Sequence, residues 1–416
     1  MSVKIDGDRL WSRLIQMARI GGFGEGGVNR QALSDDEHAA WMQMIAWGDE
    51  IGLEPSTDAA ANLFLTLPGQ HRDLPPLLAG SHLDSQPTGG RFDGVFGVLA
   101  ALEAVTAMAG AGHRPVRDVV VVAWMNEEGS RFAPGMMGSE VFAGKRNIAE
   151  VRATSDAAGI LCGDEIDRIH AAFPALQTRQ PFQPLAYVEP HIEQGPELER
   201  SGHAIGVVSG IQGKITTDVT LTGRAGHAGT EPMATRRDAV MAFARVASAL
   251  QEGVGKFETD IRFTIGRVEV TPNAPSVIAS EVRFRTDLRH PRNDVLDAAA
   301  ERLHRIVEQE ASPCTARIET LVNAPSNAFD PVLQARIAES AKAHGHRYRS
   351  IASAAGHDAR HVASLCPSAM IFIPCKEVIS HDPSESATRE DVIAGAEVLL
   401  DVLLASAEGV RSPVSD

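Results

Sequence analysis

The segment DVVVVAWMN at 118–126 leaves the chain few options, because its four consecutive valines are β-branched, stiff in a helix and suited to a buried strand. At six residues, its VVVVAW core is far too short to span a bilayer. It is followed at once by two adjacent carboxylates, Glu127 and Glu128. A second apolar run, LPPLLAGS at 74–81, stops in small polar residues just before His82, and VFGVLAALEAVTAMA at 95–109 has helical periodicity. Strand and helix patterns alternate in this way up to about residue 212, which predicts an α/β domain, a mixed sheet with helices on both faces. In open sheets of this class the active residues sit just beyond the carboxyl ends of strands, where His82, Glu127 and Glu128 fall.

From Lys214 the texture changes. KITTDVTLTG alternates, DAVMAFARVASALQEG reads as helix, RFTIGRVEV and EVRFRTDLR as strands, 294–308 as helix and TARIETLV as strand. That order predicts an inserted α+β two-layer sandwich over 213–328, with helices on one face of an antiparallel sheet, so that 1–212 and 329–416 form one domain. The helical run at 331–343, the strand AMIFIP at 369–374 and a helix after Glu390 belong to that domain, and the polar tail after Gly409 is expected to be loose.

Composition narrows the function. A chain of 416 residues with 44% hydrophobic content can bury one large core or two ordinary ones, and two domains are expected, while a net charge of −15 argues against a nucleic-acid or anionic-membrane surface. Cys162, Cys314, Cys366 and Cys375 show no CxxC spacing and read as buried thiols of a reducing compartment. The first residues, MSVKIDGDRLWSRL, lack the apolar core of a signal peptide, so a cytoplasmic protein is expected.

Five short polar motifs carry the chemistry: GSHLDS at 80–85, GGRFDG around Asp93, NEEGS at 126–130, PHIEQG at 190–195 and ISHDP at 379–383. A hydrolytic centre of two divalent ions needs imidazole nitrogens, carboxylate oxygens and one carboxylate that bridges the pair. Asp93, in a glycine-flanked turn, is the candidate bridge; His82 and Glu128 are candidate terminal ligands, and His191 and His381 complete the set. Asp84, two residues beyond His82 on an extended segment, points to the same side and is placed to take the other ring N–H. If Glu128 binds metal, Glu127 is held one residue away and free to act as a general base on water, whose pKa a metal brings to about 7. That arrangement predicts hydrolysis of a C–N bond. Taken singly, each residue has a plainer reading: a lone histidine is more often structural, and paired glutamates are more often a solvated helix start. The glycines and small residues flanking nearly all of them shift the balance, since backbone passing close to an ion or ligand needs such residues.

With these motifs the chain resembles the aminoacylase/carboxypeptidase superfamily of dinuclear metallohydrolases, and within it the branch of N-carbamoyl-L-amino-acid hydrolases, β-ureidopropionases and allantoate amidohydrolases. The resemblance runs from ALSDDEH at 32–38 through GRAGHAGTEPM, TPNAPSVI, DLR and AAGHDA to ISHDPSE, and HIEQGP is its sharpest marker. It implies two divalent ions per subunit (zinc or manganese, with cobalt or nickel also accepted) at His82, Asp93, Glu128, His191 and His381, and Glu127 as catalytic base. It adds His227 as the group stabilising the oxyanion, with Gln194, Asn273, Arg289, Gly356 and His357 as substrate-binding residues. A guanidinium such as that of Arg289 grips a carboxylate through two parallel hydrogen bonds.

The resemblance further implies that the inserted domain serves as lid and homodimer interface, with His227 and Asn273 supplied across it. The expected substrate is a small molecule carrying a ureido group and a carboxylate, an N-carbamoyl amino acid, cleaved to the amino acid, carbon dioxide and ammonia. RFAPGMMGSEVFAG leans toward that substrate; allantoate or ureidoglycolate is the alternative, and a non-catalytic binder of the same fold the remote one. Three positions depart from the family pattern: Val378 and Ala354 stand where glycine is common, and Glu231 where threonine is.

Overall fold

The computed structural model describes residues 3–407, so the tail after Gly409 lies outside the described residues. The chain divides into two compact units, one formed by 1–209 with 329–416 and the other by 210–328.

The first unit is built on a mixed sheet whose middle strands, in spatial order, are Ser368–Ile373, Ala186–Ile192, Leu77–His82 and Val119–Trp124, all parallel. Antiparallel strands flank them, Ile205–Ile211 beside Ser368–Ile373 and Leu63–Leu67 beside Val119–Trp124. Every residue of the four middle strands is buried, as expected of parallel strands covered on both faces. On one face Val119, Val121 and Ala123 join a core with the helices Val95–Gly110, Gly7–Met17 and Arg389–Ala407. On the other, Trp124 meets Phe142 of the helix Met137–Phe142 at 5.0 Å between ring centres. Neighbouring strand residues point to opposite faces, so one run of valines serves both cores. The α/β fold class expected from the alternating pattern is the fold observed.

Val95–Gly110 is apolar nearly all round and buried, with one carboxylate, Glu103, fully inside. Arg9 meets it through two hydrogen bonds of 2.6 and 2.8 Å, and the Asp6 amide adds a third of 2.8 Å. A buried charge without such partners would be strongly unfavourable.

In the second unit four antiparallel strands lie in the order Arg262–Thr271, Glu281–His290, Gly213–Thr222, Thr315–Ala324. Along Glu281–His290 the residues Val282, Phe284 and Leu288 face the helices Ala239–Gly253 and Asn293–Glu310, while Arg283, Arg285, Asp287 and Arg289 alternate with them.

Candidate metal centre

The four middle strands of the first unit deliver the motifs to one edge. His82 ends its strand; His191 is the penultimate residue of the next; Glu127 and Glu128 follow Trp124 after two residues; His381 follows the loop after Ile373. Registers His82 with Trp124 and Phe372 with His191 keep these strand ends level. Glu127 and Glu128 do not leave the strand directly: the ladder stops at Trp124, and Asn126 takes a left-handed φ of 55°. The side chain of Asn126 donates to the Phe132 carbonyl at 2.7 Å, which holds this unusual turn.

Asp93 joins two sets of donors. Its Oδ1 lies 3.0 Å from His191 Nε2 and 3.8 Å from His82 Nε2, whereas Oδ2 lies 3.2 Å from His381 Nε2. His381 Nε2 is in turn 3.4 Å from Glu128 Oε2. Two groups with donor atoms within 4.8 Å of one another therefore form, His82 with Asp93 and His191, and Asp93 with Glu128 and His381. All five residues proposed as ligands converge, and the only member common to the two groups is Asp93. Imidazole and carboxylate in this mixture suit zinc, manganese, cobalt or nickel, so the residues fit a divalent metal centre.

Glu127 belongs to neither group, yet its Oε2 is 3.6 Å from His82 Nε2. Asp84 fixes its place: the two carboxylate oxygens accept the Glu127 and Glu128 amides at 3.2 and 3.1 Å. The ring Nδ1 of His82 is 3.0 Å from the Asp84 carbonyl oxygen and 3.5 Å from its carboxylate, so the main chain takes the closer contact. Gly94, φ 66°, passes so close that a Cβ there would stand 2.4 Å from the His82 ring. Here the glycine after Asp93 is required by both conformation and space.

Charge is unbalanced in this buried space. Burial raises the Glu127 carboxyl well above its usual range, against the pull of His82. Burial and then the Asp93 charge push Glu128 up to about 7, and do the same to Glu385. Hydrogen bonding to Asp93 lifts His381 to about 9. Asp93 is held well below the usual range because, although burial opposes its charge, His191 and His381 outweigh it. A carboxylate-rich pocket that pushes its own members toward protonation is one that a cation would relieve.

Several supporting residues carry no signal of their own in the sequence. Glu385 accepts the Phe92 and Asp93 amides at 2.9 and 3.1 Å and so shapes the Asp93 turn. Glu189 accepts from Ser81 Oγ at 2.7 Å and from the Ala359 amide at 2.7 Å, and Asp358 accepts from Ser139 Oγ at 2.5 Å. Each is a buried acid in a segment already marked for other residues, and only the fold reveals its partner.

The residues expected to bind substrate fall in both units. Gln194, at φ 56°, donates from Nε2 to Asp93 Oδ2 at 2.8 Å and to Ser380 Oγ at 3.1 Å. His357 is buried, bonded to Ser353 Oγ at 3.0 Å and packed edge-on to His191 at 4.5 Å, and burial lowers its pKa well below the usual value. Gly356 lies against Met136. His227, Asn273 and Arg289 belong to the second unit; His227 and Asn273 are exposed, and Arg289 Nε donates to Asp287 at 2.6 Å.

Val378 occupies a left-handed conformation with φ 64°, which accounts physically for glycine's usefulness there. A β-branched residue is strained in that region. Val378→Gly is expected to stabilise the fold by roughly 0.5–1 kcal/mol, after the added backbone entropy of glycine, read as a higher urea midpoint.

A level row of strand ends carrying imidazoles and carboxylates around one shared aspartate defines a metallohydrolase-type centre. Residues 78–405 match Peptidase family M20/M25/M40, and the chain belongs to that family. It is 38% identical to an N-carbamoyl-L-amino-acid amidohydrolase of Rhizobium meliloti over 98% of both chains. It is 34% identical to the allantoate amidohydrolase of Escherichia coli K12 over 92% of this chain and 94% of that one. The crystal structure of an amidase of the hydantoinase/carbamoylase family from Burkholderia multivorans superposes with a TM-score of 0.91 at 38% identity, covering 98% of this chain and 100% of the other.

Proposed function

We propose that this protein is a metal-dependent amidohydrolase that cleaves the ureido C–N bond of N-carbamoyl amino acids, giving the amino acid, carbon dioxide and ammonia. The observation that carries this reading is Asp93, whose two oxygens address two separate donor groups while Glu127 stays outside both. His82, Asp93 and His191 would hold one divalent ion, and Asp93, Glu128 and His381 a second. Such ions, when bound, polarise a carbonyl and lower the pKa of water.

The chain's own residues do the rest. Glu127 Oε2 takes a proton from the attacking water and returns it to the leaving nitrogen, which its raised affinity for protons favours. Gln194 orients the ureido group beside Asp93, with Gly356 and His357 walling that end of the pocket. His227 stabilises the oxyanion, and Arg289 with Asn273 grips the substrate carboxylate. Because these three come from the second unit, we further propose that it acts as a lid and joins two chains in a homodimer. Exposed Met233, Val240 and Met241 supply apolar surface for such a contact. The four thiols, all buried and none in a disulfide, fit a cytoplasmic protein. Among the described residues no helix is long and apolar enough to cross a membrane.

The test is ammonia release from N-carbamoyl-L-amino acids, N-carbamoyl-β-alanine and allantoate by protein reconstituted with zinc or manganese, beside an EDTA-stripped control. Metal-dependent turnover of a carbamoyl amino acid is expected; activity confined to allantoate would overturn the substrate while keeping the chemistry. Arg289→Lys is expected to raise KM roughly 10–100-fold through loss of a paired, charge-assisted contact, with a smaller change in kcat.

A further inference from the structure

A second cluster of metal-type donors lies apart from Asp93 and its partners. His344 and His346 follow the helix Pro331–Ala343, and Glu397 lies on the helix Arg389–Ala407. One donor atom from each of these three residues lies within 4.8 Å of the others. Glu397 Oε2 is 2.9 Å from His346 Nε2 and 3.8 Å from His344 Nδ1. A tetrahedral ion with bonds of about 2.0–2.1 Å places its donors about 3.3 Å apart, and the two observed separations bracket that value.

The surroundings are those of a ligand set rather than of a chance pairing. The other ring nitrogen of His344, Nε2, is 2.9 Å from Asp401 Oδ2, and Ser340 Oγ donates to that same oxygen at 2.7 Å. A carboxylate on the far nitrogen of a histidine fixes its tautomer and turns the opposite nitrogen toward an ion. Gly345, φ 77°, reverses the chain between the two histidines so that their rings lie nearly parallel, 11° apart and 5.7 Å between centres. Both imidazoles thereby meet the same turn of the facing helix, where Glu397 and Asp401 stand four residues apart on one side.

We propose that His344, His346 and Glu397 form a binding site for one borderline divalent cation such as zinc, held in orientation by Asp401 and separate from the Asp93 centre. Three protein ligands on a solvent-exposed rim leave the fourth position to water. The bound ion cross-links the end of one helix to the middle of another, so its effect is on stability, while the chemistry at Asp93 continues without it.

The experiment compares the metal-stripped full chain with His346→Ala and Glu397→Gln, each dialysed against low-micromolar zinc and analysed for metal per chain. The wild type is expected to retain about one more ion than either variant, to show a zinc-dependent rise in unfolding temperature that the variants lack, and to share its metal-replete kcat with both. Equal metal content in the three proteins, or binding of the extra ion only at millimolar zinc, would overturn the site. Glu397→Gln is nearly isosteric at a half-buried position and decides the question even if His346→Ala folds poorly. Because the readout is the difference between proteins that keep the Asp93 centre, it is independent of which substrate that centre serves.

Discussion

Replacing Glu127 with glutamine is expected to lower kcat by about 10²–10⁴-fold, the usual contribution of a general acid–base group, while metal content stays at the wild-type level. The two halves of this expectation have separate structural sources. Glu127 is outside both donor groups, so an ion is expected to be retained without its charge. Its main-chain amide is held by Asp84, which keeps the backbone in place in the variant, while the nearly isosteric neutral side chain can no longer accept a proton. Metal analysis and steady-state kinetics on one preparation check both halves. Unchanged turnover would remove Glu127 from the mechanism, and loss of metal would move it into the ligand set.

Asp93→Asn is expected to behave differently. One oxygen becomes an amide nitrogen that cannot coordinate, and the negative charge shared by His191 and His381 disappears. If Asp93 serves both donor groups, metal content falls at both together, and activity falls at least about 10³-fold, since an ion polarising the reacting carbonyl contributes several kcal/mol to the transition state. Loss of a single ion per chain would mean that Asp93 belongs to one group alone. Circular dichroism of the stripped proteins separates this outcome from misfolding.

Much of the first unit's architecture was legible in the sequence because its strands are covered on both faces. DVVVVAWMN and AMIFIP need no alternation to be recognised, and VFGVLAALEAVTAMA is too long and too apolar for anything but a buried helix. Residues at the ends of those strands were legible for the same reason, since the motifs begin where the apolar runs stop. Short-range geometry was harder to read. The turn at Asn126 is held by side-chain hydrogen bonds to the Phe132 and Pro134 carbonyls and by the Met136 amide on the Glu127 carbonyl, and no periodicity encodes it. Glu385, Glu189 and Asp358 act through partners 292, 108 and 219 residues away, respectively, separations over which composition and spacing carry no information. Val378 was visible as a departure from a glycine, but the reason for that glycine required the φ angle.

The chain leaves the first unit at Ser209 and re-enters it at Phe329, and the Phe329 amide donates to the Ser209 carbonyl at 2.9 Å. Exit and return are thus adjacent, and the pairs Gly210 with Ala328 and Ile211 with Asn327 extend the contact like the base of a hairpin. A segment tethered in this manner is exchangeable in principle: a short turn grafted across the two positions closes the first unit at little entropic cost, because loop closure depends only weakly on loop length. The second unit is accordingly modular, and if His227, Asn273 and Arg289 bind substrate as proposed, replacing the insert changes specificity while the row of strand ends around Asp93 is left alone.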